Sequence, residues 1–229
     1  MVVNKMKKMI RNNGRYAEFL SERLGITEPF NFIENVFPYY FTACVSAYTL
    51  SKGNIYLAEK YKEAFYFIAN DPRLSELKEG SKYLIMHELG HFHDIDYKNE
   101  RVNSYMERVL AMVPENLNPM HHFPESEATR YALEKSENPV ESLAGCTAID
   151  AFVNKCSLEE SIQTMERHVS LETIINGRHP HKEYEKLREI SCFRLGDEVK
   201  NKIKELGEHY MNVLDSSLKV TFLGHIEKK

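Results

Sequence analysis

The sequence predicts an α+β protein in which a small mixed or antiparallel sheet packs on a helix carrying His87-Glu88-Leu89-Gly90-His91, with a mostly helical C-terminal part. Three observations predict it. Two short runs rich in β-branched and aromatic residues, 41–50 and 53–58, flank the tight connection Leu50-Ser51-Lys52, as in a hairpin. Tyr83, Leu84, Met86, Leu89 and Gly90 form an apolar face around His87 and His91 at helical spacing. Beyond Pro124 the prolines and caps open one helix after another.

In chain order, residues 15–26 read as a helix that stops near Gly25. The hairpin follows, and then a helix over Tyr61–Ala69 that Asn70-Asp71-Pro72 breaks. The HExxH helix spans about 77–96, a further helix about 99–112, and the Pro- and Asn-rich 113–124 is a connection. Pro124 opens a helix through Lys135, and Pro139 another through about Val153. Ser157 with Glu160 makes a capping box for a third. Residues 177–181 form a loop before helices to about Leu214, with Gly196 and Gly207 as breaks or close contacts. Val220–Leu223 reads as a short strand. No internal repeat or linker interrupts the chain, so 1–229 is expected to be one domain, with 136–229 a mainly helical C-terminal subdomain.

Composition narrows the function classes. The 229 residues are 42% apolar and 28% charged, with 30 Lys and Arg against 34 Asp and Glu, a formal charge of −4. That balance fits a soluble globular protein and not a disordered tail or polycation. Neither a helix-turn-helix pattern nor aromatic-basic interleaving is present, so no nucleic-acid partner is expected. The N-terminus is basic, but no apolar signal core follows. A weak contact with an acidic surface is the minor reading of these charges beside a plain basic helix. The most apolar stretch, 37–50, is too short to span a bilayer, so no membrane partner is expected. Cys44, Cys146, Cys156 and Cys192 form no CxxC pair; they read as reduced thiols packed as small hydrophobes, which points to the cytoplasm.

The ten His are the unusual residues, and two of them sit four apart in HExxH. Four residues of helix advance about 6 Å and turn about 400°, which stacks His87 and His91 on one face. Two neutral imidazoles so placed can bind one Zn2+. Glu88 flanks that position and can take the proton of a metal-activated water and deliver it to a leaving amine. Gly90 costs about 1 kcal/mol in a helix interior, so a close approach is expected there. Gly at 94 and His at 97 would mark an astacin-like or matrix-protease-like site; this chain has Asp94 and Tyr97, which excludes that subclass. Asp94 is placed instead as a supporting carboxylate or a cap.

A third ligand must come from elsewhere. Glu125-Ser126-Glu127-Ala128-Thr129-Arg130-Tyr131-Ala132 begins a helix 34 residues after His91, and a carboxylate from a crossing helix can complete a His, His, Glu site with one open position. HELGH followed by E-x-x-A, a polar residue and a further Ala at 132 resembles the gluzincin-type zinc metallopeptidases of the zincin superfamily, including the ImmA/IrrE-like and Ste24/HtpX-like groups. With Asp three residues after the motif, it also resembles the catalytic domain of anthrax lethal factor. The resemblance implies a zincin-like fold, one Zn2+, and Glu125 as the ligand three residues before the Ala. It also implies an Asp or Asn four residues after that Glu, supporting a zinc histidine; Thr129 departs from the pattern. Glu141 opens a second E-x-x-A, and Glu127 lies on the same helix turned by about 200°, so both stay open as third ligands, with His121 and His122 behind them.

The loop 177–190 is similar to the His-Pro followed by Arg found late in Ste24/HtpX-like peptidases. This places His179 or Tyr184 as an oxyanion donor if the loop folds back, and Tyr131 is a further candidate by its proximity to Glu125. In zincins an edge strand beside the active-site helix binds extended substrate, a role expected of residues 53–58. The function these residues imply is zinc-dependent hydrolysis of peptide bonds in a protein or peptide substrate, by an endopeptidase with Glu88 as general base. The alternative is a zincin-fold regulatory or binding protein with a weakly active or structural zinc site, which would not need Glu88.

Overall fold

The basic N-terminal segment is helical. In α1 (Val2–Ile10) Met6 and Ile10 are buried while Lys5 and Lys8 face solvent. The computed structural model describes residues 2–33, 47–51, 53–91, 128–129, 131–169 and 197–229. The expectations for Cys44, Cys192, Asp94, His121, His122, Glu125, Glu127, His179 and Tyr184, and for a helix over 99–112, lie outside the described residues. Helix α2 (Asn13–Leu24) starts where the Asn12 side chain accepts from the Arg15 N–H at 3.2 Å and ends at Gly25 in the left-handed conformation.

The expected hairpin forms, with its connection later than Leu50-Ser51-Lys52 because Leu50 and Ser51 belong to the strand; residues 41–46 of the expected first strand lie outside the described residues. Strands β2 (Ala47–Ser51) and β3 (Asn54–Leu57) pair antiparallel with Ser51 opposite Asn54, and Gly53 takes the positive φ of 76° that so short a turn requires. The short β1 (Asn31–Phe32) adds in parallel to the other side of β3, giving a mixed sheet of order β1-β3-β2. This corrects the edge-strand expectation for 53–58. Both sides of β3 are occupied because Asn31 donates to the Gly53 carbonyl and Ile33 to that of Ile55. Among the described residues β2 is an edge of this sheet, and it packs against the helix carrying HExxH.

Helix α3 (Glu59–Asn70) is buried from Tyr61 through Ala69 and stops where Pro72 follows Asp71. A 3-10 helix (Pro72–Leu77) then leads into α4 (Lys78–Gly90), which carries the motif. Phe65, Ile68, Leu74 and Leu77 are fully buried, and each such side chain contributes roughly 1.5–3 kcal/mol of apolar burial. One hydrophobic cluster runs from Met6 in α1 through these residues to Ile226 near the C-terminus.

The helical second half follows its caps. Helix α5 (Pro139–Asn154) opens with Asn138 accepting from the Glu141 N–H. Before α6 (Leu158–Val169), Ser157 and Glu160 close the expected capping box at 2.8 and 3.2 Å. Helix α7 (Asp197–Ser217) runs through Gly207 without a break, because this glycine lets Leu158 approach: a Cβ there would lie 3.0 Å from its methyls. The C-terminal strand falls earlier than expected. Strand β4 (Leu218–Val220) pairs with β5 (Ile226–Lys228), while Thr221–Gly224 is the turn, since Leu218 finds a core and Phe222 and Leu223 do not.

Two buried acids fasten this hairpin to α3 and the turn after it. The Glu63 carboxylate accepts from the Ile226 N–H at 2.9 Å and meets His225 Nδ1 at 3.0 Å. Asp71 meets Arg73 Nη2 at 2.8 Å and Lys228 Nζ at 2.9 Å. Hydrogen bonding to Arg73, with Lys228 behind it, holds the Asp71 carboxyl well below its usual range. A carboxyl lowered on folding stabilises fully above its unfolded pKa of about 3.9 and loses that contribution as pH falls towards its folded value. Asp71→Asn is therefore expected to lower the urea midpoint at pH 7, with the gap to wild type closing below about pH 4; a gap independent of pH would contradict the pairing.

Helices α4 and α5 cross backbone to backbone. A Cβ on Gly80 would lie 2.4 Å from the Gly145 carbonyl carbon and 2.5 Å from Cys146 N. Neither atom can turn aside as a side chain would, so Gly80→Ala is expected to destabilise by about 1–3 kcal/mol, read as a lower denaturant midpoint. Gly14→Ala, also in a helix but where a Cβ meets nothing within 4 Å, is the control and should leave stability unchanged or raise it by up to about 1 kcal/mol.

Candidate metal centre

The last turn of α4 brings three metal-ligating side chains together. Ligand atoms of His87, Glu88 and His91 all lie within 4.8 Å of one another. The two imidazole rings sit 5.1 Å apart, nearly perpendicular at 86°, as i and i+4 positions on one helix face allow. His87 and Glu88 are 8% and 7% exposed, and His91 is half-buried at the helix end. The cluster thus has a closed inner side and a more open outer one.

A second glycine sets the height of this turn. A Cβ on Gly90 would lie 2.8 Å from Ala128 Cα and 2.9 Å from its carbonyl oxygen. The helical residues 128–129 and 131–134 cross α4 at this point, which is the close approach that Gly90 predicts. Ala128 is fully buried at the crossing, so a small residue is needed on both sides.

The crossing delivers Thr129 to His87. Thr129 is 1% exposed, and its Oγ1 lies 3.3 Å from His87 Nδ1. The Tyr83 hydroxyl donates to the same Oγ1 at 3.4 Å. A hydroxyl oxygen has two lone pairs, so it can accept both the tyrosine proton and an Nδ1–H. A His87 that donates from Nδ1 keeps the lone pair of Nε2 for a metal. The departure from Asp or Asn at 129 therefore leaves the supporting contact in place, made by a neutral hydroxyl. Sequence reading named position 129 for this support and set Thr129 against it as a departure from Asp or Asn; the contact is nevertheless made, and what the sequence did not show is the hydroxyl role of Tyr83.

The donor chemistry fits Zn2+. Two imidazole nitrogens and a carboxylate oxygen are the borderline set that zinc prefers, where calcium or magnesium would ask for oxygens alone. The C-terminal end of α4 adds its partial negative charge to that of the Glu88 carboxylate, and both favour a dication.

Other expected site residues fall differently. Tyr131 lies against Gly90, its Cβ 3.1 Å from where a Cβ of that glycine would be. Its hydroxyl donates to Glu28, which also meets Lys135 Nζ at 3.6 Å. Burial, reinforced by the hydrogen bond and charge of Glu28, pushes the Tyr131 phenol well above its usual range. Glu141 stands in the first turn of α5, outside the His87–Glu88–His91 cluster. Its helix meets α4 at Gly80, seven residues before His87, about 10 Å along the axis. Cys146 is packed in α5 beside the crossing, where burial and then Asp150 raise its thiol pKa, as an unreactive small hydrophobe requires.

Compared with protein-family models, with curated proteins and with solved structures, the chain matches none. The small mixed sheet, the predominantly helical remainder and the HExxH motif within α4 match a zincin-like α+β fold. Among the described residues, no helix is long and apolar enough to cross a membrane.

Thr129→Val keeps the shape of the side chain and deletes the hydroxyl shared by His87 and Tyr83. Zinc affinity, measured by chelator competition, is expected to fall about tenfold. Stability of the metal-free chain should drop by only about 1 kcal/mol. Unchanged zinc affinity would remove Thr129 from the centre.

Proposed function

We propose that this chain is a zinc-dependent endopeptidase in which His87, His91 and Glu125 hold the metal and Glu88 is the general base. The observation that carries the reading is the convergence of His87, Glu88 and His91 ligand atoms within 4.8 Å at the buried end of α4. When bound, zinc supplies Lewis acidity, polarising a carbonyl and lowering the pKa of water towards 7. The Glu88 carboxylate takes a proton from the attacking water and passes it to the departing amine nitrogen. Thr129 fixes the His87 ring, and Tyr83 fixes Thr129. His179 and Tyr131 are proposed as oxyanion donors. Tyr131 keeps its proton through the working pH range, and this role requires its hydroxyl to turn from Glu28. An extended substrate segment adds to the outer side of β2, the strand next to α4.

One observation favours a second reading. The Glu88 carboxylate lies close enough to both imidazoles to be a ligand itself, which would make the centre structural and the protein a zincin-fold binding or regulatory molecule.

Glu88→Gln separates the two. As a general base, Glu88 can be replaced with zinc retained at wild-type stoichiometry, while cleavage of a peptide library falls by about 100-fold or more. As a ligand, its replacement instead empties the centre. Unchanged cleavage would defeat the proposed mechanism. Side by side, Glu125→Ala is expected to weaken zinc binding and Glu141→Ala to leave it intact; the reverse pattern would move the third ligand to α5.

A further inference from the structure

The β4–β5 hairpin ends in two apolar side chains that the fold leaves in solvent. Phe222 is 99% exposed and Leu223 79%, and they are the exposed large hydrophobic residues among those described. Their exposure is not fraying. Thr221 N–H donates to the His225 carbonyl at 2.8 Å, and Gly224 N–H to that of Thr221 at 2.9 Å. Directly behind the turn, the fully buried Glu63 carboxylate accepts from the Ile226 N–H and meets His225 Nδ1. The tip is thus a firm projection anchored to α3.

Two lysines lie beside it. Lys7 of α1 lines a cavity of about 350 Å3 together with Met6, Phe222, Leu223 and His225. Lys155 Nζ donates to the Thr221 carbonyl at 3.4 Å. Lys5, Lys7 and Lys8 make α1 a cationic helix with no carboxylate. Glu227, the acid of the cavity wall, is neutralised by Lys219 at 3.4 Å.

We propose that this tip is a docking wedge for an anionic phospholipid bilayer, with Phe222 and Leu223 entering the acyl region while Lys7 and Lys155 meet lipid phosphates. A projecting pair of side chains suits a fluid medium that closes around it. A stable protein interface needs about 800 Å2 per partner, and one aromatic and one aliphatic side chain supply less than half of that. The flanking charge selects the lipid class, because lysines near an anionic surface each favour binding about fivefold. Two modest signals together are what a reversible peripheral contact requires.

The chain contains no Trp, so Phe222→Trp places a single reporter at the tip. Vesicles of phosphatidylcholine alone and vesicles with about one-third phosphatidylserine are mixed with the full chain. The Trp emission is expected to shift to the blue with the anionic vesicles only. In flotation, Phe222→Ser with Leu223→Ser should bind them at least tenfold more weakly, and Lys155→Gln about fivefold. Both side chains lie outside the core, so the thermal midpoint of the serine double variant should stay at the wild-type value. The proposal is overturned by absence of a blue shift with anionic vesicles, or by wild-type flotation of the serine variant. It is equally overturned if the tip variants convert a wild-type dimer to a monomer while vesicles go unbound, which would assign the tip to a protein interface.

Discussion

The candidate metal centre depends on where α4 is held, and two contacts that hold it are ones in which a neighbouring helix touches its bare backbone. At Gly80 the partner is Gly145 of α5; at Gly90 it is Ala128 of the helical segment bearing Thr129. The two glycines are ten residues apart, about 15 Å of helix, so α4 is clamped near both ends. Backbone contacts of this kind are stiffer than side-chain packing, because no rotamer change can relieve them. The first crossing joins the motif helix to the helical second half, and the second brings up the support for His87. Gly90 lies between Leu89 and His91, so a displacement of that crossing is passed directly to the proposed ligands.

Electrostatics follow from the same placement. His87, Glu88 and His91 occupy the last turn, where the carbonyl end of the helix favours positive charge. The hydroxyl of Thr129 orients an imidazole without adding a second negative charge, as an Asp there would. The formal charge of the cluster is then that of Glu88 alone, which a dication and one further carboxylate from Glu125 would balance. A neutral support is a weaker tether than a carboxylate, and Tyr83, held one turn before His87 in α4, compensates by donating to the same hydroxyl oxygen.

Much of this was legible in the residues. The hairpin, the stop at Gly25, the start of α5 at Pro139 and the Ser157–Glu160 capping box are local features, set by backbone chemistry within a few positions. HExxH was legible for the same reason, since four residues of helix fix the separation of two imidazoles. What a neighbour in space decides was less legible. Residues 53–58 alternate as an edge strand would, yet β1 pairs with them from more than twenty residues upstream. The Val220–Leu223 run reads as strand by composition, but of its members only Val220 is in the strand and packs on the core, and the apolar pair turns outward. Thr129 breaks the expected pattern in type while keeping its place, and only the crossing at Gly90 shows that its hydroxyl reaches His87.

The central claim is that the two histidines of α4 hold zinc together with a carboxylate. X-ray absorption at the zinc edge of the zinc-loaded full chain reads the ligand atoms themselves. The expected spectrum has two imidazole nitrogens at about 2.0–2.1 Å and the remaining ligands as oxygen at about 2.0–2.2 Å. It should lose the imidazole multiple scattering when His87 and His91 are both replaced by Ala. Sulfur scattering at about 2.3 Å, or an imidazole signal that survives both replacements, would place zinc elsewhere in the chain and contradict the assignment.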